Sequence, residues 1–234
     1  SIPVGGVSVD RASKTLAEQL KQLAADALEA APTDMEIAAG AVRVAGTDRV
    51  ISFADLAARP ETKPEQLRAS SEFGVEQPTF PNGTHIAEVE VDPDTGVVQI
   101  VRYTGINDFG TIVNPMIVAG QLHGGVVQGI GQALMEKVSY DSSGQPITGS
   151  FMDYAMPRAE DAPPMAVGDH PSPAKSNPLG TKGCGEAGCA GSLSTVVNAV
   201  INALADEGVT HLDMPLTPER VWRALQDARK TRAA

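Results

Sequence analysis

Between Asn177 and Asn198 the chain reads NPLGTKGCGEAGCAGSLSTVVN. Glycines at 180, 183, 185, 188 and 191 surround one carboxylate, Glu186, and the segment then runs into an apolar helical pattern. Glycine lets a backbone approach its surroundings closely and take up positive φ. A helix start behind such a loop presents free N–H groups and the positive end of the helix dipole. The segment is therefore suited to holding an anionic group beside a single placed acid or base.

A second stretch, Met116 to Lys137, has helical spacing but carries glycines at 120, 124, 125, 129 and 131. Each interior glycine costs about 1 kcal/mol relative to alanine. Close approach to a partner or cofactor is the expected compensation. Gln128 and Gln132 lie four apart on one face of this helix. Among glycines and valines, Gln128 is expected to be buried and to need a partner, which a cofactor oxygen would supply. A solvated glutamine is the alternative.

The remaining segments read as a mixture of helices and strands, an α+β chain. SIPVGG opens as a loop, and Asp10 to Ala31 has helical spacing ended by Pro32. Met35 to Ile51 reads as short strands around Gly40 and Gly46, and Ser52 caps a short helix to Ala58. Pro60 to Gly83 is irregular. His85–Asp92 and Val97–Asn107 form a hairpin turning at Asp94-Thr95-Gly96. Val138 to Thr148 suggests another, turning at Ser143-Gly144, and Phe151 to Pro178 is proline-rich and irregular. A last helix runs from Pro218 to Arg229 with Thr217 as N-cap. The whole chain, 1–234, is taken as one piece of a larger domain, divisible into 1–84 and 85–234.

Composition removes several functions. The net charge is -11 with 4% aromatics, so neither a basic stripe nor a stacking platform for nucleic acid is present. No apolar run reaches the roughly 18 residues of a membrane span. The two cysteines, Cys184 and Cys189, make no disulfide framework, which favours a reducing, cytoplasmic setting. The four histidines show no zinc spacing, so no protein-ligated metal is expected. The chain opens on Ser1 without methionine, which reads as an upstream part missing, cleaved off or supplied by another polypeptide.

Individual residues keep two readings. Glu186 is either a carboxylate stabilising a helix dipole, worth roughly 0.3–1 kcal/mol, or a general base kept ionised by that dipole. Ser1, Gly5 and Gly6 suit a phosphate nest or an ordinary helix lead. Lys182 either pairs with an anion or is solvated.

Taken in order, SIPVGG, DFGTIVNPMIVAGQLHGGVVQGIGQAL, TGSFMDYAMPRAED and SNPLGTKGCGEAGCAGS resemble the molybdenum-binding large subunit of the xanthine dehydrogenase, aldehyde oxidase and carbon monoxide dehydrogenase family. The likeness runs from Ser1 to about Leu225 and covers only the C-terminal third of such a subunit. It implies the C-terminal portion of a molybdopterin-binding domain, with mixed short sheets and glycine-rich helices. It implies oxidative hydroxylation of an aldehyde or N-heteroaromatic substrate, with water as the oxygen source. Glu186 matches the base that deprotonates a molybdenum-bound hydroxyl, and Gln128 a contact to the molybdenum centre or pterin. The turn holding Ser1, Gly5 and Gly6 matches a pterin or pyrophosphate segment, and Lys182, Gly183, Cys184 and Gly185 a wall beside the metal.

The cofactor implied is molybdenum–molybdopterin, in the cytosine dinucleotide form and shared with another chain. Electrons would pass to 2Fe-2S clusters and FAD on partner subunits. The implied partners are the N-terminal part of the molybdenum subunit, an iron–sulfur subunit and a FAD subunit, and activity is expected only with the rest of the subunit. Carbon monoxide oxidation and a non-catalytic assembly module of the same fold are the rival readings. A free-standing hydrolase lacks a second carboxylate or nucleophile.

Overall fold

A computed structural model describes residues 2–233. The chain divides into two compact units, one running to Pro78 and joined by Lys175–Leu179, the other Thr79–Ala174 with Gly180 onward.

In the first unit Ile2–Gly6 winds as a π-helical turn directly into α1, Val7–Leu28. The opening glycines therefore extend a helix instead of forming a loop before it, and Gly6 has ordinary right-handed dihedrals, φ -62 and ψ -41. That lead-in explains why the helix begins ahead of Asp10. It ends before Pro32 because Glu29 turns left-handed, φ 48, and Ala30 donates back to Ala25. An antiparallel sheet of β1 (Met35–Ala38), β2 (Ala41–Val44) and β3 (Val50–Ser52) follows, in that order. Helix α2, Phe53–Ala58, starts on the expected cap, with Ser52 accepting from the Asp55 N–H. Leu20, Ala24, Met35, Val42 and Leu56 close the core of this unit. The segment after it is irregular apart from one turn of 3-10 helix, Pro64–Leu67.

The second unit is built on the hairpin of β4 (Asn82–Val91) and β5 (Val98–Asp108). Its turn is tied by Asp92, which accepts from Asp94 N and Thr95 Oγ1. After β5 comes α3, Pro115–Leu134, capped by Asn114. A third strand, β6 (Met165–Asp169), pairs parallel to β5. It arises inside the proline-rich stretch expected to be irregular: Pro163, Pro164 and Pro171 flank it and leave its short middle free to pair. The expected hairpin over Val138–Thr148 shrinks to one bridge, Tyr140 to Pro146, because proline has no N–H to extend a ladder. Helices α4, Ala187–Leu204, and α5, Pro218–Ala233, complete the unit.

Helix α4 lies against α3 on one side and β4 on the other. With the turn that follows, to Glu207, it is long and apolar enough to cross a membrane by length and composition, a property that counting uninterrupted apolar runs does not reveal. Its packing accounts for that composition. Val196 and the α3 residues Leu122, Val126 and Ile130 share a core with Tyr103 of β5, and Val200 and Leu204 share another with Val221 and Leu225 of α5. The architecture is α+β, as expected from the sequence.

Candidate active site

The glycines of the two helices divide into those that pack and those that stay open. A Cβ on Gly125 would sit 3.0 Å from Cys189 N, and one on Gly188 would sit 2.6 Å from Leu122 O. A Cβ on Gly129 would collide with Ser192 Oγ, and one on Gly191 would overlap the His85 ring. Contacts below 3.0 Å cannot be accommodated against backbone without movement, so α3, α4 and β4 approach as they do only because these residues lack side chains. The neighbour that compensates for these helix glycines is another element of the same unit, not the cofactor or partner expected from the sequence. Gly120, Gly124 and Gly183, by contrast, have nothing within 4 Å of a Cβ position.

Glu186 stands at the N-cap of α4, exposed, with no capping hydrogen bond from its side chain. It forms no ion pair among the described residues. Its place at the N-cap suits both readings left open, a carboxylate stabilising the helix dipole and a base kept ionised by it. The preceding residue, Gly185, faces α3: a Cβ there would be 3.5 Å from Gln121 Nε2. Gln128 is not buried as expected but exposed, as in the solvated alternative. The buried stripe of α3 runs through Leu122, Gly125, Val126, Gly129 and Ala133, and Gln128 lies beside that stripe, on the same face as Gln121 and Gly124. Gln121 is thus an amide absent from the residues expected at the site. Its signal is the glutamine of AGQLHGG, one turn ahead of Gly124 and Gly125.

Of the two readings of Lys182, the structure shows pairing with an anion, and that anion is a carboxylate of the chain itself. Its Nζ donates to Asp108 Oδ2 at 2.5 Å, and the two side chains are only 12% and 15% exposed. Asp108 also accepts from Gly110 N at 2.8 Å and Ser172 N at 2.9 Å. Burial alone would push its carboxyl up, but the Lys182 hydrogen bond, the two backbone donors and the Lys182 charge outweigh it and hold the carboxyl down at about 2. A backbone bridge reinforces the same junction: Thr111 N donates to Gly180 O and Lys182 N to Phe109 O, both at 2.9 Å. Gly110 and Gly180 both take positive φ, 61 and 67, and a side chain on Gly110 would strike the Gly180 carbonyl.

Cys184 packs against the core beside Ala187, and burial pushes its thiol up, away from the thiolate a metal ligand would be. Its backbone, with that of Gly183 and Gly185, is what the loop offers outward. Gly5 and Gly6 belong to the first unit, and Ser1 lies outside the described residues.

A polar cluster that the sequence does not single out lines the other side of α4. Tyr103 Oη lies 2.6 Å from His85 Nδ1, and His85 Nε2 lies 3.0 Å from Asn107 Oδ1. With Asn107 Oδ1 accepting, the imidazole carries its proton on Nε2 and takes the tyrosine hydrogen on Nδ1. Burial pushes the Tyr103 phenol up to about 12. Spacing along the chain tests histidines only as zinc ligands, and a structural role of this kind leaves no such signal.

Residues 1–163 match the family model of the molybdopterin cofactor-binding domain. The chain belongs to that family. It is 36% identical over 240 residues to the gamma subunit of the 6-hydroxypseudooxynicotine dehydrogenase complex of Paenarthrobacter nicotinovorans, covering 98% of this chain and 30% of that relative. Among solved structures, the Cu,Mo carbon monoxide dehydrogenase in its carbon monoxide reduced state superposes with a TM-score of 0.82 at 29% identity, over 98% of this chain and 30% of that one. Quinoline 2-oxidoreductase from Pseudomonas putida 86 gives 0.77 at 37% identity, over 93% and 29%. The chain therefore spans less than a third of the length of the relatives it matches.

A molybdopterin is the group the family implies, and the residues fit one. Among the described residues no three His, Cys, Asp or Glu side chains converge as a metal-binding set, so a metal here would arrive with ligands of its own. The open glycines of α3 and of the loop, with Gln121 and Glu186 at their margin, leave a surface on which side chains do not obstruct a large planar group.

Proposed function

We propose that this chain is the C-terminal part of the molybdenum-binding subunit of a hydroxylase, with Glu186 as its general base. The observation that carries this reading is the Glu186 carboxylate itself. It is exposed at a helix N-terminus, unpaired and uncapped among the described residues, on a loop whose glycines leave it reachable. A base needs that access.

The reaction is R–H + H2O → R–OH + 2 e− + 2 H+. A bound molybdenum group supplies the redox chemistry, taking up two electrons and delivering the oxygen of water. The chain's own part is narrower. Glu186 accepts a proton at its carboxylate. The backbone of Gly183, Cys184 and Gly185 and the amides of Gln121 and Gln128 border the group. The group would be the cytosine dinucleotide form of the cofactor. Iron–sulfur and FAD subunits receive the electrons, and the rest of the molybdenum subunit completes the pocket, in the cytoplasm.

Within the substrate classes, N-heteroaromatics are favoured over carbon monoxide. Identity is 36–37% to the nicotine- and quinoline-named relatives and 29–32% to the carbon monoxide dehydrogenases. A ring carbon beside nitrogen is electron-poor, which suits attack by an oxygen nucleophile.

The test is Glu186→Gln in the assembled enzyme, assayed with nicotine, quinoline, benzaldehyde and carbon monoxide. Turnover is expected to fall at least about a thousandfold while subunit composition and molybdenum content, read by native mass spectrometry and metal analysis, stay unchanged. Near-normal turnover in that variant would remove the base assignment. A wild-type complex without molybdenum would favour the non-catalytic reading.

A further inference from the structure

The Glu186 side chain has no partner among the described residues, so its position must be set by the backbone on either side. On the C-terminal side α4 is fixed by Gly188 against α3 and Gly191 against His85. On the N-terminal side the fixed points are Lys182, held by its ion pair, and Cys184, whose side chain packs against the core. Beside Cys184, a Cβ on Gly183 would have nothing within 4 Å and one on Gly185 would meet only the end of Gln121. A three-residue span of which two are glycines holds no shape by itself. What fixes the chain at Lys182 therefore acts together with the packing of Cys184 to set where the carboxylate sits.

We propose that Asp108 is a positioning residue for Glu186, acting through Lys182 and the glycine loop. The proposal rests on the reading of Glu186 as the base. Asp108 stands at the end of β5 and gathers three segments on one carboxylate: the loop through Lys182 Nζ, its own turn through Gly110 N, and the segment after β6 through Ser172 N. Lys182 is the only cation between Asn177 and Leu193, and this contact turns it inward to 12% exposure. An ion pair this enclosed is sensitive to loss of either partner, because the remaining charge is left uncompensated. The bridge between Gly110 and Thr181 holds the backbone at the same place, so removing the carboxylate loosens the loop without unfolding the sheet.

The consequence for catalysis is geometric. A base displaced by about 1 Å can cost on the order of a hundredfold in rate. Binding of a substrate that contacts neither Asp108 nor Lys182 is unaffected.

The experiment compares Asp108→Asn, Asp108→Glu and Lys182→Met in the assembled enzyme by two readouts. The first is amide hydrogen exchange of peptides spanning residues 181–188. Asp108→Asn and Lys182→Met are expected to speed exchange there at least tenfold and to leave the peptides of β4 and α3 unchanged. Asp108→Glu, which keeps the charge, is expected to stay within about threefold of the parent. The second is turnover of quinoline or nicotine per bound molybdenum. Here kcat is expected to fall at least tenfold in the first two variants with KM within threefold, and to recover in Asp108→Glu.

Unchanged loop exchange in both Asp108→Asn and Lys182→Met would overturn the proposal. So would faster exchange spread over the whole second unit, or a loss carried by KM alone. Should Asp108→Asn fail to assemble, Lys182→Met decides the matter, since it leaves the two backbone hydrogen bonds to Asp108 in place. Glu186→Gln in the same series keeps the two ideas apart. Full activity in that variant removes the base, while the exchange result still decides whether Asp108 orders the loop.

Discussion

At the scale of single residues, the glycines of GCGEAG have different tasks, and substitution separates them. Gly188→Ala places a methyl 2.6 Å from the Leu122 carbonyl and is expected to cost about 1–3 kcal/mol of stability through overpacking. Gly183→Ala meets nothing within 4 Å at a backbone φ that is not left-handed. It is expected to leave the melting temperature within about a degree or two while lowering turnover, because the added methyl would occupy the face proposed to meet the cofactor. Thermal denaturation beside turnover per molybdenum checks both; a destabilised Gly183→Ala would mean that this glycine packs too. Asp108 makes a pH-dependent contribution. Its carboxyl is held at about 2, below its ordinary value of 3.8, so the stabilisation is complete above about pH 4 and lost as pH falls through about 2. It is worth roughly 2 kcal/mol. Denaturant unfolding should show the parent losing about that much more than Asp108→Asn between about pH 6 and about pH 2. Equal losses would remove the assignment. None of this is legible in the sequence. Lys182 and Asp108 are 74 residues apart, and an amino-acid string shows that a residue is small without showing what comes close to it.

At the scale of elements, local signals carry well and pairing does not. Ser52 caps α2 where expected, and Asp92, Thr95 and Gly96 turn β4 into β5, because caps and tight turns depend on a few adjacent residues. Strand β6 leaves little trace in the sequence because a five-residue parallel strand is defined by its neighbour β5, not by its own pattern. Helices α3 and α4 are visible as helices, but their interface reads as a ligand surface. The hydrophobic period that reveals a helix does not say whether its glycines face a cofactor or another helix. The full burial expected for Gln128 fails for the same reason: the glycines and apolar residues around it turn toward α4 and leave the amide at the margin of the buried stripe.

At the scale of the molecule, the second unit displays large apolar side chains. Phe151 is 87% exposed, Met152 93% and Met116 77%. Scattered apolar residues are normal on surfaces, but side chains this exposed on a chain spanning under a third of its relatives suit contacts made by the rest of the enzyme. Peroxide footprinting is expected to oxidise Met152 and Met116 at least tenfold more slowly in the assembled complex than in the isolated chain. Equal rates would leave these faces as solvent surface. The tight seating of α4 bears on how descendants of such an enzyme should be judged. A copy that had lost its chemistry would still need Gly188 and Gly191 to fold, so mutation would be purged there as strictly as in an active enzyme. Persistence of those two glycines is thus a record of architecture. Drift at Gly183 or at Glu186, where packing exerts no veto, would be the first mark of a retired active site.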